Sequence, residues 1–177
     1  MVRYGEARVE GFALPQEMAF GLAWQATPRW LLATELTWID WSSALSGLRL
    51  NARDPETPNP DVPQTVELRQ DLRFRDQYVF SLGTRYAITD RTVLMAGVNL
   101  ARNPVPRSSL TPVINVTQEV EFDVGIRHRL SERWSVASAL QFQPAKTEAG
   151  ANPGQPFVDA REGYGVIGLV LEVTRSW

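Results

Sequence analysis

The chain has 177 residues, with 18 lysines and arginines against 20 aspartates and glutamates, for a net charge near −2. That balance excludes the strong basic field of a nucleic-acid binder, and the absence of cysteine excludes a disulfide framework or a thiolate metal site. No apolar run approaches the roughly 20 residues a membrane helix needs, but membrane-spanning strands escape that test because their alternation cancels in a hydropathy window.

Period two organises nearly the whole chain. Tyr4 to Ala13 alternates poorly. From Glu17 to Gln25 the even positions are Met18, Phe20, Leu22 and Trp24, and the odd ones are small or polar. From Trp30 to Trp41 the apolar set is Trp30, Leu32, Leu36 and Trp38, with Glu35 opposite. Val66 to Tyr86 keeps one phase: Val66, Leu68, Leu72, Phe74, Tyr78, Phe80, Leu82 and Tyr86 share a face, opposed by charged residues. Those 21 residues far exceed the usual strand of about five or six. Leu94, Ala96, Val98 and Leu100 continue the pattern. So do Val120 to Leu130 and Trp134, Val136, Leu140 and Phe142. The last segment, Tyr164 to Trp177, changes parity, with Ile167, Leu169, Leu171 and Val173 on one face. The expected fold is all-β: an antiparallel meander of about eight long strands, with no helix.

The connections come in two lengths. Ala26-Thr27-Pro28-Arg29, Thr89-Asp90-Arg91 and Ser131-Glu132-Arg133 read as tight turns. Residues 51–64, 103–117 and 145–162 read as long loops and hold nine of the 12 prolines. From Glu17 onward short and long alternate, so the turns fall at one end of the sheet and the loops at the other. The short connection near Pro15 breaks that rule.

A soluble β-sandwich also alternates, as would a structural or adhesin-like barrel. Long strands and asymmetric loops favour a transmembrane β-barrel, partial or small. So does the placing of Trp24, Trp30, Tyr86 and Trp134 beside the turns, with Trp38 and Tyr78 about eight residues away. One face would meet lipid and the other a lumen. Asp40 and Asp76 share the lipid parity but fall near or beyond the outer aromatic belt, and His128 falls near the lower one.

Two stretches, LPQEMAFGLAWQATPRWLLATELTWIDWSSAL and FRDQYVFSLGTRYAITDRTVLMAGVNLARNPVP, carry a resemblance. Pro15, Gly21, Trp30, Trp38, Trp41, Ser42, Asp76, Gly83, Tyr86 and the run Asn103-Pro104-Val105-Pro106 stand in an order that resembles the FadL-type outer-membrane transporters of long-chain fatty acids and aromatic hydrocarbons. The resemblance implies passive transport of such compounds through a barrel of about 14 strands with an amino-terminal hatch. It implies a bacterial outer-membrane location in the full-length parent. Trp177 looks like the terminal aromatic residue read by barrel-assembly machinery. MVRYGEARVEG lacks the features of a signal peptide. Residues 1–177 are therefore expected to be the carboxy-terminal part of such a barrel, with the hatch and amino-terminal strands absent.

No nucleophile–base pair, phosphate loop or metal motif stands in the sequence, so neither an enzyme nor a cofactor is expected. The glycines at Gly163, Gly165 and Gly168 read as strand glycines. The candidate ligand-binding residues are the lumen-phase charges Arg69, Arg73, Arg85, Arg127, Glu121 and Asp123. An arginine there suits a carboxylate, while a cross-strand charge ladder is the plainer reading. The loops offer Val105, Leu110, Val113 and Ile114 for an apolar ligand. Expected partners are a hydrophobic small molecule, outer-membrane lipid and the assembly machinery, with no nucleic acid. The membrane-interface aromatics are Trp24, Trp30, Trp38, Tyr78, Tyr86, Trp134 and Trp177.

Overall fold

The computed structural model describes residues 3–56, 61–110, 119–151 and 161–176. Ten strands lie among them: β1 (Tyr4–Glu10), β2 (Glu17–Thr27), β3 (Trp30–Ile39), β4 (Gly47–Pro55), β5 (Thr65–Asp71), β6 (Gln77–Ala87), β7 (Thr92–Ala101), β8 (Val120–Arg129), β9 (Trp134–Ala149) and β10 (Arg161–Arg175). They form a seven-stranded antiparallel sheet, in the order β10-β9-β8-β7-β6-β3-β2, and a separate three-stranded sheet, β1-β4-β5. The described strands leave the large sheet open, with β2 and β10 as its edges.

The tight turns close as expected, each through a local hydroxyl. Thr27 Oγ1 accepts from Arg29 N at 3.3 Å. Thr89 Oγ1 accepts from Arg91 N and Thr92 N, and Ser131 Oγ from Arg133 N and Trp134 N. These side chains satisfy backbone donors that a ladder cannot reach at a reversal. All three turns fall at one end of the large sheet, here the turn end. The opposite loop end receives the long connections.

Register fixes the faces. Leu22, Thr34, Leu82, Val98, Phe122, Phe142 and Ile167 pair in sequence across all seven strands. The parity change in the last segment follows from the pairing of Ile167 with Phe142 and Leu169 with Leu140. Among the described residues no layer covers this apolar face. Leu82, in the middle of the sheet, is 46% exposed, and exposure rises to 73% at Leu171. Burying the remaining half of about twenty such side chains is worth on the order of 15–30 kcal/mol, more than the roughly 5–15 kcal/mol that stabilises a whole domain. A soluble sandwich places that face against a second sheet. Among the described residues the small sheet makes no such packing, which counts against the sandwich reading.

Three expectations change. Val66 to Tyr86 is not one strand: β5 ends at Asp71 and β6 starts at Gln77, in different sheets. Arg73 takes a left-handed backbone (φ 51°), and Leu72 N and Arg73 N both donate to Ser46 O, at 3.0 and 3.1 Å. The alternation therefore runs unbroken through a break in the pairing. Second, part of the stretch expected as a loop from Asn51 is strand β4, and β9 extends to Ala149. Third, Trp41–Ala44 forms one turn of helix, α1, capped by Asp40, whose Oδ1 accepts from Ser43 N at 3.1 Å. The short connection near Pro15 fits once β1 is seen to belong to the small sheet at the loop end, pairing with β4.

The buried core is small and lies at the loop end. Ala44, Leu45 and Leu72 form one cluster with Trp41, Leu48 and Phe74 against it. Val105 and Leu110 form a second, and Phe74 touches both. Leu72, at 1% exposure, and Phe74 therefore do not face lipid, although their phase assigned them there.

Candidate functional site

The candidate site is the inner face of the large sheet, in three levels. At the loop end lies a knot of motif residues. Trp38 Nε1 donates to Asp76 Oδ2 at 3.1 Å, and Ser42 N donates to Asp76 Oδ1 at 3.2 Å. Trp41 Nε1 donates to Oε1 of Gln77, an inner-face residue only 9% exposed, at 3.1 Å. Arg75 N donates to Pro104 O at 2.9 Å, and the buried Ser109 hydroxyl to Leu72 O. Hydrogen bonding, first from the Ser42 side chain, holds Asp76 below the ordinary carboxylate value of 3.8. Asn103 completes the knot, its Oδ1 accepting from Val105 N and its N donating to Glu119 Oε1. Lys146 Nζ pairs with the same Glu119 atom at 2.9 Å, and with Glu148.

The middle level is an open groove of about 480 Å³, lined by residues such as Gly21, Ala33, Glu35, Gly83, Gly97 and Asn99. Ala23, Ala33, Gly83 and Gly97 pair in one row, so four adjacent strands present almost no side chain there. The polar groups beside it are tied to each other. Asn99 Nδ2 donates to Glu121 Oε1 at 3.0 Å, Gln143 Nε2 donates to Glu121 Oε2, and Thr37 Oγ1 donates to Glu35 Oε1 at 3.2 Å. Asp123 pairs in register with Gly97 and Gln141.

The third level, at the turn end, is a cavity of about 240 Å³ that includes Arg85, Arg91, Arg127, Arg129 and Arg133 in its lining.

The six charged candidates thus separate. Arg85, Arg127, Glu121 and Asp123 lie on the inner face of one sheet. Arg69 belongs to β5, where its Nε pairs with Asp71 Oδ1 at 3.2 Å, and Arg73 lies in the link after it. The break at Leu72 removes both from the wall. Val105 and Leu110 are buried in the loop-end core, while Val113 and Ile114 lie outside the described residues. Sequence reasoning missed the groove, because a row of Ala and Gly becomes visible only through the register of four strands. It also missed Arg91 and Arg133, which sit in turns with no phase to read.

On the outer face the aromatics form two rows. Trp30 pairs with Tyr86, and Trp38 with Tyr78. Trp24 and Trp134 fall at the turn end, and Trp177 lies outside the described residues. The eight residues from Trp30 to Trp38 span about 26 Å along the strand, or roughly 20 Å in height at the usual tilt, close to the apolar band of a bilayer. Trp30 Nε1 donates to Thr84 Oγ1 at 2.8 Å, and Thr92 Oγ1 and His128 Nδ1 are 2.9 Å apart. These polar atoms lie in the turn-end part of the face, and His128 stands at the belt rather than beside a nucleophile.

A single antiparallel sheet that is apolar on one face, polar and grooved on the other, and belted by aromatic rings is the wall of a transmembrane β-barrel. The chain belongs to the outer membrane protein transport protein family (OMPP1/FadL/TodX), whose model matches residues 4–164. Its place is the bacterial outer membrane, and its family is one of transport proteins rather than enzymes. Among solved structures it is similar to the Pseudomonas putida toluene transporter TodX, with a TM-score of 0.70, 19% identity, and coverage of 97% of this chain and 37% of that one. A deltaS2 mutant of the TodX monoaromatic hydrocarbon channel gives a TM-score of 0.76 at 18% identity, covering 97% and 38%. The Ralstonia pickettii toluene transporter TbuX gives 0.65 at 14%, covering 96% and 35%. At these identities the likeness is one of fold. The chain spans less than two fifths of each of these structures. A search of curated proteins gives no significant match.

Proposed function

We propose that the chain supplies part of the wall of a passive channel that admits hydrophobic compounds, long-chain fatty acids or aromatic hydrocarbons, across the outer membrane. The observation that carries this reading is the groove. Its floor of Ala23, Ala33, Gly83 and Gly97 lets an apolar molecule lie against the backbone, while Glu35, Asn99 and Glu121 stay bonded among neighbours. Open edges at β2 and β10 are costly in lipid, which supports residues 1–177 as the carboxy-terminal part of a larger closed barrel. Outer-membrane lipid on the apolar face and assembly machinery at Trp177 complete the proposed partners. Arg85 and Arg127 remain the inner-face candidates for a substrate carboxylate, with Glu121 and Asp123 setting the charge above them.

The test is uptake of labelled toluene and labelled oleate by cells with and without the intact gene. Faster uptake of either compound is expected with the gene present. Unchanged uptake of both, with the protein verified in the outer-membrane fraction, would reject the channel reading and favour a structural barrel.

A further inference from the structure

We propose that the arginine cavity at the turn end is a phosphate-binding site. Arg85 reaches it from β6, Arg127 and Arg129 from β8, and Arg91 and Arg133 from two tight turns. The acids facing it are Asp90 and Glu132, in the same two turns. Five guanidiniums against two carboxylates leave three net positive charges around about 240 Å³. Among the described residues only the Arg129 guanidinium has an acceptor, donating from Nη2 to Asp90 O at 3.0 Å. Among the described residues the guanidiniums of Arg85, Arg91, Arg127 and Arg133 make neither an ion pair nor a hydrogen bond, and neither acid pairs with a guanidinium.

The pattern differs from the other two levels, where Lys146 sits between Glu119 and Glu148 and Glu121 takes two amide donors. There the charges satisfy one another; at the turn end they converge unsatisfied. Guanidiniums donate in a planar fork that matches the oxygens of phosphate, and a doubly charged oxyanion answers a threefold excess better than a single carboxylate. Ser131, Ser135 and Ser176 line the same space and add hydroxyl donors. Trp134, which starts β9 beside the lower aromatic row, also lines the cavity, with Arg175 over its ring at 5.6 Å. The site thus stands near headgroup depth, where a phosphate arrives either free from the aqueous side or as part of a lipid headgroup. The proposal rests on the wall geometry and is independent of which compounds the channel passes.

The experiment is calorimetric titration of the intact protein, purified in uncharged detergent micelles, first with inorganic phosphate and then with phosphatidylglycerol mixed into the micelles. Saturable binding is expected. It should weaken by about tenfold or more in the Arg85→Gln/Arg127→Gln double variant and in Arg133→Gln, whose position in a turn leaves the ladder intact. Lys146→Gln at the loop end should bind as the parent does. Binding of inorganic phosphate identifies a free-anion site, and binding of phosphatidylglycerol alone a headgroup site; either result supports the proposal. No saturable binding of either, or binding undiminished in folded arginine variants, overturns it. Uptake of toluene and oleate is read separately, so loss of one reading leaves the other standing.

Discussion

The indole N–H of Trp38, the last aromatic of β3, donates to the carboxylate of Asp76 at 3.1 Å, across 38 positions of sequence. The same carboxylate takes the backbone N–H of Ser42, so one acid fixes the entry to α1 and the entry to β6. The two residues stand where the wall ends and the loop-end knot begins.

Asp76→Asn should loosen that knot. The amide keeps one acceptor and loses the charge, so the apparent melting temperature in detergent should fall, with the wall strands intact by circular dichroism. The pH dependence follows from the depressed folded pKa of Asp76. Its contribution is fully present above the ordinary value of 3.8 and is lost as pH falls through the lower folded value. The difference in melting temperature between parent and variant should therefore be constant near neutrality and shrink only in acid below that value. A difference that already shrinks between neutral pH and mildly acidic pH would contradict the assignment.

Leu72→Ala should cost about 2–5 kcal/mol, because the side chain is 1% exposed and the cavity left between Ala44, Leu45 and Phe74 cannot refill. Leu169→Ala, on the uncovered face of β10, should cost far less in a detergent that replaces lipid imperfectly. Urea unfolding of both variants measures the contrast. Equal losses would mean that the loop-end core is not the packing centre.

Leu82→Arg puts a cation in the middle of the apolar face, between Thr34 and Val98. In a bilayer the expected cost is about 2–4 kcal/mol, with poor assembly as the visible result. Ser81→Arg, one residue earlier on the inner face, should assemble normally. Membrane fractionation and heat-modified gel mobility report both. Normal assembly of Leu82→Arg would remove the lipid-face reading.

Gly97→Leu tests the groove. A Cβ at Gly97 meets only Leu82 O at 3.6 Å, an ordinary contact, so the added side chain enters open space. Uptake of hydrophobic compounds by the intact protein should fall several-fold while stability stays within about 0.5–1 kcal/mol of the parent. Gly11→Ala is the opposite case: φ is 87° there and a Cβ would lie 2.2 Å from Gly47 O, so this change should destabilise the β1–β4 pairing. Unaltered uptake in a correctly assembled Gly97→Leu would argue that the path runs elsewhere.

By itself the sequence determined the two faces of the wall, the three tight turns, the aromatic rows and the separation of short from long connections. Each is local. Successive side chains on an extended backbone must alternate, and Thr89 or Ser131 closes its turn with atoms two or three residues away. The motif order around Trp38, Asp76 and Asn103 was also legible, but not as contacts.

The tertiary structure alone decided that β3 pairs with β6 and that β1, β4 and β5 form a separate sheet. Leu72 and Tyr78 share a phase, yet one is 1% exposed and the other 54%, because Ser46 O draws Leu72 and Arg73 out of the sheet. The second half of β4 was read as loop, and the strand beside it in the small sheet, β1, lies about forty residues away along the chain. The groove exists only because register brings Ala23, Ala33, Gly83 and Gly97 into one row, and the arginine cavity only because two turns and two strands converge. Alternation is a property of one extended chain. Pairing, register and the space between side chains depend on hydrogen bonds to a partner strand, and a tight turn encodes that partner only for the two strands it joins.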